Sequence, residues 1–509
     1  MALAEEPLHP RYFDGGGVEQ DPAALLGSVL TTGRRAAAQA GVPLAAVALA
    51  NQGETVLAWD RATGRPLSAA VVWQDRRAET VCARRADAAG RVAELTGLDD
   101  VAWNSELLEV FGLAAEPLPA IVPNDAVVGT TRAFGAELPV TGLIVDQQAA
   151  LLGEACIQAG DAKCTFGTGA FLLACTGTAP VRSTAGLTTS VAWRLRGQTS
   201  YCIDGQVYTA ASAVRWITEL GLITGAGQLD TTAAPASDGV LCVPALAGLA
   251  APWWDSAAAA SFSGMTLSSG RGQLVRALLE GIAAQVAGLT GLIAADLGAP
   301  LTRLRVDGGL TRSRVLMQAQ ADLAQIPVDV YPSAHATPFG AAACARLALD
   351  PAADLASLVA GWQPEHTYEP VWAADRAADH LARWYDATPG TLESRLVARG
   401  YHLLGDYAAQ AGIPVERTGA ILVAWTAEEL RALPALKDKA ERNGYHDCRT
   451  ISAAEVYRQV PDLGPARLAA WPSPASRSPA PGPPTWPWPP TPSAAAPPCS
   501  ASTPSPVPA

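Results

Sequence analysis

An apolar strand that ends on a carboxylate and passes at once into a small-residue helix constrains this chain more than any other feature. Residues 142–145 deliver Asp146-Gln147-Gln148, and Ala149-Ala150-Leu151-Leu152-Gly153 continues as a helix. Shortly after comes Thr165-Phe166-Gly167-Thr168-Gly169-Ala170-Phe171-Leu172, patterned as two short strands around a tip. The carboxyl end of a strand is where open α/β sheets hold their ligands. Glycines on both sides of Thr168 let backbone N–H groups close on an anion, and the hydroxyl adds a donor. A base beside a phosphate cradle is most of what phosphoryl transfer needs. Two plainer readings stay open: Asp146 as a helix cap, and Gly-Thr-Gly as an ordinary hairpin turn.

Periodicity along the chain predicts an α/β protein. Strands are expected over 44–73 around a turn at 61–65, with alternation in Thr55-Val56-Leu57-Ala58-Trp59, and a helix over 79–96 stopped by Gly97. Short strands with one helical start fill 142–207, and a helix with Trp216 covers 209–220. The strongest helix is 273–297, with Leu274, Leu278, Ile282 and Val286 on one face and Gly298 after it. A strand (301–306), Gly308-Gly309, a helix (313–325) and a strand (328–331) then repeat the α/β alternation. Asp307, just ahead of the glycines, reads as structural or catalytic, and His335 as a loop residue.

Charge and cysteine usage narrow the function classes. A net charge of −12 argues against nucleic acid or an anionic membrane as the main partner. Nine cysteines without a C-x-x-C spacing read as reduced thiols rather than a disulfide framework or a zinc site. No stretch has the form of a signal peptide or an uninterrupted apolar span, so a cytoplasmic location is expected. The only lysines are Lys163, Lys437 and Lys439, against 33 arginines, and no G-x-x-x-x-G-K-[ST] occurs. A P-loop is therefore excluded, and phosphate would be held by backbone N–H groups.

At these motifs the chain resembles the FGGY carbohydrate kinases, the glycerol kinases above all, which carry a Gly-Asp-Gln-Gln-Ala-Ala-Leu run followed by Tyr-Gly-Thr-Gly-Cys-Phe. Asn51-Gln52-Gly53-Glu54-Thr55, Trp59-Asp60 and Val72-Trp73-Gln74-Asp75-Arg76-Arg77 are similar to that family's substrate-side hairpin. Ser261-Phe262-Ser263-Gly264-Met265, then Gln273-Leu274 to Glu280-Gly281, resembles its C-terminal signature, and Leu304-Arg305-Val306-Asp307-Gly308-Gly309 its adenosine motif. The resemblance covers about residues 10–385. It implies an actin-like, ribonuclease H-like two-domain fold, ATP with Mg²⁺, and a small-molecule polyol substrate such as glycerol. The domains would be 1–155 on the substrate side, incomplete, and 156–385 on the nucleotide side. A homo-oligomer is compatible with it.

Carried over residue by residue, the resemblance makes Asp146 the catalytic base and gives Gln147 and Glu54 the polyol hydroxyls. Trp73 and Phe171 would face the carbon skeleton, unless they are simply core aromatics. Thr168 would contact the nucleotide phosphates, with Ala211, Arg215, Gly309 and Ser313 completing the ATP side; the metal ligands are not assigned. Several positions depart from the family. Gly53 stands where it has Arg, and Ala211 and Arg215 replace Gly and Gln. Restoring Arg at 53 is expected to strengthen substrate binding. The opening Asp-x-Gly-Thr phosphate motif is not found, and Leu95-Thr96-Gly97-Leu98 runs within a few residues into Trp103-Asn104-Ser105, where the family has several tens of residues. Unpaired strand edges and exposed apolar surface should follow in the N-terminal half. A remnant that binds nucleotide weakly without catalysis is the competing function.

Beyond about residue 385 the kinase resemblance ends. Residues 386–465 resemble an interior piece of FAD-dependent oxidoreductases, predicted as a helix (392–411), a strand (419–425) and a helix near 427–442, without the G-x-G-x-x-G turn, so FAD binding is not expected. Residues 466–509 are dominated by Pro, Ala, Ser and Thr and are expected to be disordered, either as a proline-rich ligand or as an out-of-frame product.

Overall fold

A computed structural model describes residues 2–96, 101–333 and 335–387, together with short segments between 415 and 479. The chain divides into two compact units, Met1–Thr391 and Leu392–Ala509.

In the first unit the elements run β1 (Arg11–Phe13), β2 (Gly17–Gln20), α1 (Pro22–Ala40), β3 (Val47–Asn51), β4 (Ala70–Val71), α2 (Glu79–Arg84), α3 (Ala89–Leu95), α4 (Ser105–Val110), β5 (Gly129–Thr131), β6 (Leu138–Val145) and α5 (Asp146–Gly153). Then come β7 (Ala162–Phe166), β8 (Ala170–Gly177), β9 (Thr188–Leu195), β10 (Gln198–Val207), α6 (Ala211–Glu219), α7 (Leu229–Thr232), β11 (Leu241–Val243), β12 (Ser261–Ser263) and α8 (Arg271–Leu297). The unit closes with β13 (Leu304–Asp307), α9 (Arg314–Ala324), β14 (Val328–Val330), α10 (Ala336–Leu349), α11 (Leu355–Val359), β15 (His366–Tyr368) and α12 (Ala374–Ala387).

Residues 162–368 build a seven-stranded mixed sheet in the order β15-β14-β13-β7-β8-β10-β9. β13 lies parallel to β7 and β14, whereas β7, β8, β10 and β9 are antiparallel neighbours. α8 is the predicted long helix. Leu278, Ile282 and Val286 on its inner face are fully buried, and it ends on Gly298 in the left-handed conformation. Its close approach to β11 depends on Gly281, where a Cβ would fall 2.1 Å from the Cys242 carbonyl oxygen. α12 completes this core: Trp384 is fully buried and its indole N–H donates to that same carbonyl at 2.8 Å.

The N-terminal half is thinner. It holds two three-stranded sheets, β1-β2-β4 and β3-β6-β5. The strands expected on either side of the 61–65 turn are reduced to the isolated bridges Val56–Val71 and Trp59–Pro66, with Asp60 N–H donating to the Arg65 carbonyl. The helix expected over 79–96 is instead two helices, α2 and α3, separated by a 3₁₀ turn at Ala86–Ala88. Neither α2 nor the turn has a buried residue, so no apolar face holds them in one axis. α1 is likewise without a buried residue along its 19 positions. Tyr12, Phe13, Leu26, Trp59, Leu67 and Val127 are all exposed, which is the apolar surface the sequence led us to expect.

α10 ties the halves together. Although it follows β14 in the chain, it packs on β3, β6 and α5. The contact is backbone to backbone: a Cβ on Gly340 would lie 1.9 Å from the Ala149 carbonyl oxygen, and one on Gly153 would lie 2.2 Å from that of Ala336.

In the second unit Ala420–Ala424 pairs antiparallel with Ala469–Ser473, which also pairs with Ile451–Ser452, and Val415–Arg417 pairs with Arg477–Pro479. The strand expected over 419–425 is thus present. The disorder expected throughout 466–509 is corrected for 469–473 and 477–479, whose main-chain groups find ladder partners despite the composition. The helix expected over 392–411 and the rest of the tail lie outside the described residues, as does most of 427–442.

Candidate active site

Parallel pairing of β3 with β6 sets Asn51 opposite Val145, so two connections leave the sheet side by side. One carries Gly53-Glu54, the other Asp146-Gln147. Asp146 is the first residue of α5 rather than its cap; its Oδ1 accepts from the Gln147 N–H at 2.8 Å. The positive helix end favours the carboxylate there. Burial nevertheless dominates and raises the Asp146 pKa, with the Gln147 N–H and the charge of Lys163 opposing it.

Lys163 is the residue that sequence reasoning missed. It lies on β7, fully buried, and its Nζ donates to Gln147 Oε1 at 2.5 Å and to Thr165 Oγ1 at 2.8 Å. Its charge also acts on Asp204, Glu154 and Asp307. A buried lysine among four carboxylates offsets part of their mutual repulsion. By engaging Oε1 it turns the Gln147 amide so that the Nε2 donors are the ones left to face a ligand. The available signal was the chain's single lysine before residue 437, placed in an otherwise apolar strand.

Two of the predicted substrate-side residues come together. Trp73 meets Phe171 edge to face with ring centroids 5.9 Å apart. Trp73 is 36% exposed and Phe171 half-buried, so these rings line a surface instead of filling the core. Glu54 is exposed, in a left-handed conformation with φ of 57°, and its charge is felt by Asp204 on β10. Asp204 accepts from Thr188 Oγ1, and burial pushes its carboxyl up to about 6. Asp204 and Gln206 lie opposite Leu173 and Phe171 across the β8–β10 ladder, which puts Asp204 on the sheet face that carries Phe171. The sequence reading passed over this residue, although a charge inside Tyr201-Cys202-Ile203-Asp204 is conspicuous. At Gly53 a Cβ would stand 2.9 Å from Val145 Cγ1, so an Arg at 53 would require the Val145 side chain to shift.

The nucleotide-side glycines also meet. Gly167-Thr168-Gly169 is the tip of the β7–β8 hairpin, so the plain turn reading is geometrically right as well. Gly308, at φ 96°, brings β13's end against it, where a Cβ would fall 2.5 Å from the Phe166 carbonyl oxygen. Gly309 opens a 3₁₀ turn immediately beside that contact. Thr168 is exposed at the tip. Its carbonyl accepts from the N–H groups of Ala210 and Ser212, and that of Gly167 accepts from Ala211, so the first amides of α6 are used to hold the tip. Arg215 is exposed and pairs loosely with Glu219 at 3.9 Å. Ser313 caps α9: its Oγ accepts from Leu316 N–H and donates to Asp230 Oδ1 at 2.6 Å, so the buried hydroxyl is committed within the protein. Asp307, opposite Thr165, is buried with Oδ1 unpartnered, and burial raises its pKa. His335 directly precedes α10 and its charge reaches Asp307.

Comparisons with known proteins show what the chain is similar to. The N-terminal domain of the FGGY family of carbohydrate kinases matches residues 2–96, and the C-terminal domain of that family matches residues 162–349. A glycerol kinase of Aromatoleum aromaticum is 36% identical over 455 residues, covering 75% of this chain and 92% of the relative. A second, from Gloeobacter violaceus, is 37% identical over 448 residues, covering 75% and 90%. Among solved structures, glycerol kinase of Plasmodium falciparum with ADP superposes with a TM-score of 0.67 at 26% identity, over 75% of this chain and 92% of that one. A ligand-bound xylulose kinase of Lactobacillus acidophilus shares the fold with a TM-score of 0.65 at 17% identity, over 75% and 91%.

Proposed function

Because this chain belongs to the FGGY carbohydrate kinases, we propose that it transfers the γ-phosphate of ATP to a hydroxyl of a small polyol of the glycerol class. One observation carries the reading: Asp146, its proton affinity raised by burial, opens α5 directly after a strand end that pairs with the strand leading to Glu54, and its neighbour Gln147 is held by Lys163. A base raised toward neutrality takes a hydroxyl proton more readily than an ordinary carboxylate does. Asp146 accepts that proton as the substrate oxygen attacks. Gln147 and Glu54 hold the remaining hydroxyls, Trp73 and Phe171 exclude water from the carbon chain, and the hairpin tip with Gly308-Gly309 approaches the phosphates through backbone N–H groups.

Mg²⁺ fits this site. Among the described residues no three His, Cys, Asp or Glu side chains form a metal cluster, and Asp307 Oδ1 is buried without a partner. That suits an ion that keeps most of its water and phosphate oxygens and takes only one or two carboxylates. Asp307 would hold it, and it would supply neutralisation of phosphate charge. FAD is not part of the proposal, and a cytoplasmic location is proposed on composition alone.

A second reading, nucleotide binding without turnover, draws support from the alignment with the first relative. Its 455 aligned positions exceed the roughly 382 residues that make up 75% of this chain, as an internal deletion would require. ADP formation from ATP in the presence of glycerol, in the full chain and in Asp146→Asn, separates the readings. Polyol-dependent ADP lost in the variant supports the kinase. ATP binding with no ADP from either protein supports the second.

A further inference from the structure

Asn124, in the link between α4 and β5, joins the open edges of two sheets. Its N–H donates to the Arg194 carbonyl at 2.9 Å, and its Oδ1 accepts from the Arg194 N–H at 2.6 Å. β9 is the last strand of the seven-stranded sheet, so Asn124 takes the place of a neighbour there. The other end of the same amide reaches the substrate-side half, where Nδ2 donates to the Leu143 carbonyl of β6 at 2.6 Å.

β6 needs support at that point. β5 pairs with it only as far as Val140, and the β3–β6 register slips by one residue between Val140 and Leu143, where Gly142 takes a left-handed φ of 66°. A strand interrupted in this way bends and loses ladder bonds. Only two residues separate Leu143 from Asp146, so whatever fixes the Leu143 carbonyl also fixes the direction in which the base leaves the strand. From Asp146 onward the main chain is held by others: Thr337 Oγ1 donates to the Asp146 carbonyl at 3.3 Å, and Lys163 holds Gln147. Asn124 is the tie ahead of the base.

We infer that Asn124 is a positioning residue for phosphoryl transfer: by donating to Leu143 while gripping the edge of β9, it sets Asp146 against the nucleotide-side sheet. The inference rests on the polyol kinase reading, in which Asp146 takes the substrate proton. Asn124 acts through the main chain of β6. A displacement of about 1 Å at a reacting group costs about 10²-fold in rate, so loss of this tie lowers kcat by between about tenfold and about 10²-fold.

Its two bonds can be separated. Asn124→Asp keeps the shape and still accepts from the Arg194 N–H, but a carboxylate cannot donate to Leu143; Asn124→Ala loses both. The test measures ADP formation from ATP with glycerol across pH in the full chain and in the two variants. Both should lose kcat by the factor given, and in both the acid limb should move to lower pH. Burial raises the Asp146 pKa, and a base released from its buried place is penalised less for its charge; Lys163 on β7, the charge that acts on Asp146, is left in place by both variants. Parental kcat in Asn124→Asp would show that Asn124 only closes the edge of β9, and a lower kcat with an unmoved acid limb would show fewer folded molecules instead of a displaced base; either overturns the inference. If no protein forms ADP with glycerol, the kinase reading fails first, and amide hydrogen exchange decides this one. Faster exchange over 143–150 in Asn124→Asp, with 191–196 unchanged, sustains Asn124 as the anchor of the strand end that carries Asp146; parental exchange over 143–150 overturns it.

Discussion

The nucleotide-side half and the substrate-side half of this unit are built by one chain under one chemistry, yet they solve burial very differently. In the former, α8 and α9 cover a seven-stranded sheet, and its strands are buried along most of their length. In the latter, α1 buries nothing and much of the large apolar surface stays in solvent. Helix propensity alone makes a helix such as α1, but only burial of an apolar face holds it. The close-packed half can therefore carry precise geometry, and the loose half contributes to the site chiefly where β3 leans on β6 and α10.

The sharpest way to break that contrast is at its junction. Asp146→Asn should lower polyol-dependent turnover by about 10²–10⁴-fold with the fold intact, since only the proton acceptor is lost. Because burial raises the Asp146 pKa, the acid limb of the unmodified rate should lie above the ordinary carboxylate range, with activity falling as pH drops through it. Residual activity within a factor of two of the parent would remove Asp146 from the mechanism. Next in size is Gly340→Ala, whose Cβ would meet the Ala149 backbone; it should cost about 1–3 kcal/mol or more in chemical denaturation. A neutral result would mean α5 and α10 are not in backbone contact.

Glu154 tests the tight half from inside. Its side chain is fully buried with neither carboxylate oxygen hydrogen-bonded, and burial, then Asp307, raise its pKa well above the ordinary value. The folded state thus binds the proton more tightly than the unfolded one. Stability from this group is complete below the unfolded value and drains away as pH rises through the folded one. Glu154→Gln should remove that loss and gain about 1–2 kcal/mol in mildly alkaline buffer, with little change in acid. A lower midpoint in alkali would show that the carboxylate is paired. Smallest of all, Gly27→Ala on the uncovered α1, with nothing within 4 Å, should stabilise by about 0.5–1 kcal/mol. A loss at Gly27 would reveal a packed face there, and the contrast between the halves would weaken.

What could be read in advance follows the same division. The hairpin around Thr168, α8, and the β13–α9–β14 run were legible because glycine punctuation and a buried face leave a period in the residues. The break between α2 and α3 was not, since exposed helices have no burial pattern to betray their ends. Asp146, Glu54, Trp73 and Phe171 could be nominated from resemblance; the structure sets Trp73 against Phe171 and Glu54 within electrostatic reach of Asp204. Lys163 and the nearness of Gly53 to Val145 could not, because both depend on which strands become neighbours: Lys163 reaches Gln147 from β7, and β3 pairs with β6 across more than eighty intervening residues. Ser313 illustrates the opposite failure. A polar residue at a family position was assigned outward to a nucleotide, yet its hydroxyl turns inward to Asp230.

The seating of α10 has a consequence for how this chain comes off the ribosome. β6 ends at Val145, but the helix that covers it begins at Ala336. At about 5–20 residues per second, roughly ten to forty seconds of synthesis separate the strand from its cover. During that interval the β3–β6 pair is a nascent sheet with one bare apolar face, so the substrate-side half cannot finish packing until most of the downstream half has been synthesised.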